Sequence, residues 1–123
     1  MGKREKALMN TSKITVDMEQ LFELPSDPDK VLFLSVLLQA LLDATKPSTT
    51  SEPDESKEAR RAAKAWFFAS IGVTSEDFIT VCDLADVEPT MAQGFAYKIL
   101  RSREIDFVRK RINTILSNKQ INR

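Results

Sequence analysis

The sequence contains no histidine and only one cysteine among its 123 residues. Without histidine, the chain lacks the side chain that most often acts as a general base and as a zinc ligand near neutral pH. The single cysteine, Cys82, excludes an intramolecular disulfide and has apolar neighbours that are typical of a buried position. Three scattered glycines, Gly2, Gly72 and Gly94, cannot form a glycine-rich phosphate loop. We therefore expect no enzyme active site, no cofactor and no bound metal.

Long apolar runs are also lacking. The densest one, Val31 to Leu42, is interrupted by Ser35 and Gln39 and is far shorter than the roughly 20 residues that a membrane span needs. The basic residues near the start are not followed by an apolar stretch long enough for a signal peptide. The sequence thus predicts a cytoplasmic protein with no membrane partner.

Charges of the two signs balance, with 18 basic and 18 acidic side chains, but they are unevenly distributed. From Arg101 to Arg123, seven basic residues stand against two acidic ones, which gives this segment a net charge of +5 and leaves −5 on the first hundred residues. A basic end of this kind can contact phosphates, although a solvated helix face explains it equally well.

The chain has the length of one ordinary domain, and its composition is that of a globular protein. We predict an all-α fold of about five helices in a single domain that spans residues 26–118. Residues 1–25 should be disordered or loosely ordered, and residues 119–123 should form a basic tail.

The first helix is predicted from about Pro28 to Ala44. The residues Ser26 to Asp29 are typical of a helix start, because they offer a capping side chain, a proline and an acid in the first turn. Apolar residues cover nearly every face of this helix, which predicts either a central helix or a subunit interface. The following segment, Thr45 to Ser56, has the composition of a loop and is the connection that we expect to be most flexible.

Two further helices should follow this loop. One begins after Pro53, and Gly72 is expected to end it. Thr74 and Asp77 lie at capping-box spacing ahead of the next helix, which should end near Ala85.

The segment 75–102 has the pattern of a helix-turn-helix. The turn position that usually holds glycine is occupied by Asp86, a residue type that tolerates the left-handed conformation. The second helix of this motif should run from Thr90 to about Arg101, and a last helix from Arg103 to Ser117. The residues expected to pack the motif from inside are Val81, Cys82, Ala85, Val87, Ala92 and Phe95, with Tyr97 or Ile99.

The outer face of the second motif helix should remain free for a DNA groove. Threonine and glutamine side chains can contact base edges, and lysine and arginine can hold phosphates. Two carboxylates, Asp86 and Glu88, oppose this interpretation, and two short helices at an angle also occur as a simple core motif. The candidate DNA-binding residues are Thr90, Gln93, Tyr97, Lys98, Arg101, Arg103, Arg109, Lys110 and Arg111.

A resemblance to a known group of proteins covers about Val31 to Arg101. The residues that carry it are Trp66, Phe67, Asp77, Phe78, Val81, Cys82, Leu84, Ala85, Val87, Glu88 and Pro89. In this pattern the chain resembles small helix-turn-helix proteins encoded by phages and bacterial prophages, which tend to carry a Leu-rich helix upstream. The resemblance implies work in phage gene regulation or in recognition of the phage genome for packaging, in the cytoplasm of a bacterial host.

These patterns together predict sequence-dependent DNA binding by a phage-type transcriptional regulator. A homo-oligomer is expected, because one small motif on a molecule without net charge gives little affinity for DNA. One alternative is a helical adaptor that binds a host protein through the helix at Val31 to Leu42 or through the basic tail. Another is a DNA-packaging subunit similar to a small terminase.

Overall fold

A computed structural model describes Met18, residues 25–69 and residues 72–121 of the chain. The helices delimited in these ranges are α1 (Pro28–Ala44), α2 (Asp54–Phe68), α3 (Val73–Ala85), α4 (Pro89–Leu100) and α5 (Ile105–Ile121). No strand occurs among the described residues. The predicted all-α single domain of about five helices is confirmed.

Helix α1 lies at the centre of the domain, in contact with α2, α3 and α5. Asp27 caps its first turn, since the Asp27 carboxylate accepts a 2.9 Å hydrogen bond from the backbone N–H of Asp29, and Pro28 follows the cap. The fully buried leucines of this helix are Leu34, Leu37, Leu38 and Leu41. Of the two predicted positions for this helix, central or at a subunit interface, the structure shows the central one. Leu32 and Val36 remain exposed on its outer flank.

Three aromatic rings join α2 to α3. Trp66, Phe67 and Phe78 meet edge to face, with ring centroids between 5.1 and 5.5 Å apart. The Trp66 indole N–H donates a 2.7 Å hydrogen bond to the Asp77 carboxylate. Such aromatic pairs contribute packing energy beyond the area that they bury, so this cluster fixes the position of α3 against α2.

The predicted helix boundaries around Gly72 are wrong. α2 ends at Phe68, and Gly72 comes directly before α3 with a φ of +94°, a conformation that glycine adopts without steric cost. Because α3 begins at Val73 without a side-chain cap, Thr74 lies inside the helix and forms no capping box with Asp77. Gly72 thus directs the chain into α3 instead of ending α2.

The loop before α2 is tied to that helix by an ion pair. Arg60 donates two hydrogen bonds of 2.7 Å to the Glu52 carboxylate, from Nη1 to Oε2 and from Nη2 to Oε1, and its Nη1 also donates to the Lys46 carbonyl. These hydrogen bonds from Arg60 lower the pKa of Glu52 to about 2, so its carboxylate stays ionised where ordinary carboxyl groups take up protons. The ion pair therefore holds the end of the connection that we expected to be most flexible against α2.

Residues 1–17, 19–24 and 122–123 lie outside the described residues, and with them most of the prediction for residues 1–25. Met18 is described, and its side chain is buried in the core. α5 continues to Ile121, so the first part of the predicted basic tail is helical. None of the described helices combines the length and the apolar character that crossing a bilayer requires.

Candidate nucleic-acid interface

The turn between α3 and α4 consists of three residues, Asp86 to Glu88, a length that is typical of a helix-turn-helix. Asp86 adopts the left-handed conformation, with φ 64° and ψ 40°, and is the one non-glycine residue with positive φ in the described ranges. The backbone N–H of Val87 donates to the Cys82 carbonyl at 2.9 Å, and the Val87 side chain is buried in the turn. The predicted roles of Asp86 and Val87 in the turn are confirmed.

One face of α4 packs against the core. Its buried residues are Ala92, Phe95, Ala96 and Ile99. Ile99 and not Tyr97 is therefore the last anchor, since the Tyr97 side chain is 55 % exposed. On α3, Cys82 is fully buried, and this burial raises the pKa of its thiol to about 12. Cys82 is a packing residue with no reactive thiolate near neutral pH.

The carboxylates of the turn are partly engaged. Glu88 caps α4, because its side chain accepts a 3.1 Å hydrogen bond from the backbone N–H of Met91. Asp86 lies 3.5 Å from the Lys30 ammonium group at the solvent-exposed surface. The helix terminus and the lysine thus offset part of the negative charge that would face a DNA backbone here.

The outer face of α4 forms a stripe that we call the α4 stripe: Thr90, Gly94, Tyr97 and Arg101. These residues follow one another at spacings of four, three and four, and all are exposed. The guanidinium carbon of Arg101 lies 4.9 Å from the centroid of the Tyr97 ring, the distance of a cation–π contact. A Cβ added at Gly94 would meet no heavy atom within 4 Å.

An open groove of about 650 Å³ runs beside the α4 stripe. Its wall opposite α4 includes Phe68 at the end of α2 and Ile79 on α3, which are 41 % and 44 % exposed. The sequence-based candidates omitted both residues. No signal in the sequence indicated Ile79, since it lies four residues after Ser75 and three before Cys82, spacings that are typical of a buried helix face.

Two predicted DNA-binding residues have other roles. Gln93 is half-buried, and its Nε2 donates a 2.9 Å hydrogen bond to the Phe67 carbonyl, which joins α4 to α2. Arg109 is half-buried and donates to the Leu42 carbonyl and to the Thr45 hydroxyl at the end of α1. A cation at this point binds carbonyl groups that lack a partner within the helix. These two side chains therefore hold helices together.

The remaining predicted cations lie at the surface. Lys98, Arg103 and Lys110 are exposed, and Arg111 is half-buried. Lys98 and Arg103 flank the end of α4 near Arg101, whereas Lys110 belongs to α5. Three of the predicted cations, Lys98, Arg101 and Arg103, thus lie close to one another in sequence where α4 ends.

The left-handed turn gives a test of the motif's geometry. Asp86→Gly should leave the free energy of unfolding within about 0.5 kcal/mol of wild type or raise it, since glycine adopts this conformation freely and the Lys30 pair is exposed. Asp86→Val should lower it by about 1–2 kcal/mol, because a β-branched residue is strained at positive φ. Urea denaturation of both variants measures the difference, and equal stabilities would contradict the turn described here.

No family model matches the chain, and no curated protein or solved structure matches it either. The resemblance to phage and prophage proteins remains a prediction from the sequence.

Proposed function

We propose that this protein is a sequence-dependent DNA-binding protein of the helix-turn-helix type, a transcriptional regulator whose helix α4 enters the major groove. One observation carries the proposal: the α3–turn–α4 unit is packed from inside, through Cys82, Val87 and Ala92, while the α4 stripe stays exposed. A recognition helix needs this division between a packed inner face and a free outer face.

Gly94 supports the docking of α4 against an external surface. Glycine inside a helix costs about 1 kcal/mol relative to alanine. At this position no neighbour within 4 Å excludes a Cβ, and the backbone does not have positive φ. Nothing within the described fold requires glycine here. A ligand that approaches the helix backbone closely would require it, because any side chain at this position would keep the ligand away.

The distribution of charge along α4 supports one orientation on DNA. Lys98, Arg101 and Arg103 cluster at the end of the helix and would hold phosphates that flank the groove. Asp86 and Glu88 lie at its beginning, where they limit the affinity of a single copy. We therefore propose a homo-oligomer, as in helix-turn-helix dimers that place two recognition helices in successive turns of the major groove.

DNA binding measured against salt concentration tests the proposal. Arg101→Ala and Arg103→Ala should weaken binding to a selected site and to random DNA by similar factors, and each should reduce the slope of log K against log salt by about 1. Lys57→Ala is the control, because Lys57 is exposed near the beginning of α2, far from the contact of that helix with Gln93. Variants that bind DNA with the wild-type slope would contradict the proposal.

A helical adaptor that binds a partner protein is the second candidate. It is favoured by the groove beside the α4 stripe, whose wall carries the exposed apolar side chains Phe68 and Ile79. Absence of DNA binding by the wild type at low salt would favour this function. The packaging-subunit alternative shares the motif with the regulator but needs a ring, which the mass of the oligomer in solution would reveal.

A further inference from the structure

The α4 stripe offers few groups that read bases by hydrogen bonds. Gln93, the one amide side chain of this helix, has its Nε2 engaged with the Phe67 carbonyl. This contact holds the carboxamide against α2, away from the centre of the stripe. Recognition of adenine by glutamine uses the amide nitrogen and oxygen together, and recognition of guanine uses a cation directed at the base edge. Arg101 lies over the Tyr97 ring at the end of the helix.

Exposed apolar groups lie on the stripe and beside it. Thr90 carries a methyl group beside its hydroxyl, Tyr97 presents an exposed ring, and Met91 on the flank of the stripe is 59 % exposed. The groove wall adds Phe68 and Ile79. In the major groove only one base offers an apolar partner for such side chains, the C5-methyl group of thymine.

We infer that α4 reads thymine methyl groups, so that the DNA half-site facing the α4 stripe is rich in A·T pairs. The inference rests on the proposed DNA-binding function and specifies its substrate. Gly94 allows the bases to approach the helix backbone, since its position has no side chain and open space around it.

Replacement of thymine by uracil tests the inference, because it removes the C5-methyl group and leaves the hydrogen-bonding edges unchanged. The probe is a duplex selected by the wild-type protein from a random library. Uracil within the half-site should weaken binding by about fourfold for each contacted methyl group, the factor expected for loss of one buried methyl-sized group. Uracil placed outside the bound region of the same duplex is the control and should have no effect.

Two variants connect this effect to α4. Tyr97→Ala should reduce the difference in affinity between the thymine and uracil duplexes, because it removes part of the apolar surface. Arg103→Ala should weaken binding to both duplexes equally, as expected for a phosphate contact.

The possible failures are distinguishable. Equal binding of the thymine and uracil duplexes, or a selected half-site rich in G·C pairs, would overturn methyl recognition and leave DNA binding intact. Absence of binding to either duplex at low salt would overturn the proposed function and this inference with it.

Discussion

Leu37→Asp is expected to abolish folding. Leu37 lies in the middle of α1, its side chain is 0 % exposed, and α1 packs against three other helices. An aspartate there would place a carboxylate in an apolar core without a partner, at a cost of several kcal/mol. Because the whole stability of a small domain is about 5–15 kcal/mol, this single change removes a large part of it. Circular dichroism and the yield of soluble protein measure the outcome.

Leu32→Asp is the matched control on the same helix. Leu32 is 57 % exposed, so the new carboxylate remains hydrated and the free energy of unfolding should change by no more than about 0.5 kcal/mol. A Leu37→Asp protein with the helicity and thermal midpoint of wild type would contradict the central position of α1. A lower oligomer mass for folded Leu32→Asp would place a subunit interface on this flank of the helix.

Local signals predicted the parts of the fold that depend on neighbours in sequence. Asp27 and Pro28 indicated the start of α1, and the turn at Asp86 followed from a residue type that tolerates positive φ. The same reasoning failed at Thr74 and Asp77, where a capping-box spacing is present but the Asp77 carboxylate binds the Trp66 indole instead. The local pattern assigned the Asp77 side chain to a helix cap, but in the structure it accepts a hydrogen bond from a residue of another helix.

The candidate site was predicted less completely, because polar residues were assumed to be exposed. Arg109 finds its acceptor in Leu42, 67 residues earlier, and Gln93 finds its acceptor in Phe67, 26 residues earlier. No spacing rule relates such distant positions. Phe68 was omitted for the opposite reason, since an aromatic residue next to the core cluster gave no sign that it would remain exposed.

Substitution of Gly94 should have the largest effect on function without loss of the fold. Gly94→Ala should raise the free energy of unfolding by up to about 1 kcal/mol, because alanine favours the helix and a Cβ meets no neighbour within 4 Å. Gly94→Glu should fold equally well but should lose specific DNA binding by at least about a hundredfold, since a carboxylate in the α4 stripe opposes the negative charge of DNA. Ala59→Glu adds the same group at an exposed position near the beginning of α2 and is the control.

The affinity of Gly94→Glu for the selected duplex, measured beside its thermal stability, therefore tests most directly whether α4 is a DNA-recognition helix. We expect a folded Gly94→Glu protein that no longer distinguishes the selected duplex from random DNA, while Ala59→Glu binds as wild type does. A folded Gly94→Glu protein that binds the selected duplex as tightly as Ala59→Glu would contradict the role of α4 as a recognition helix.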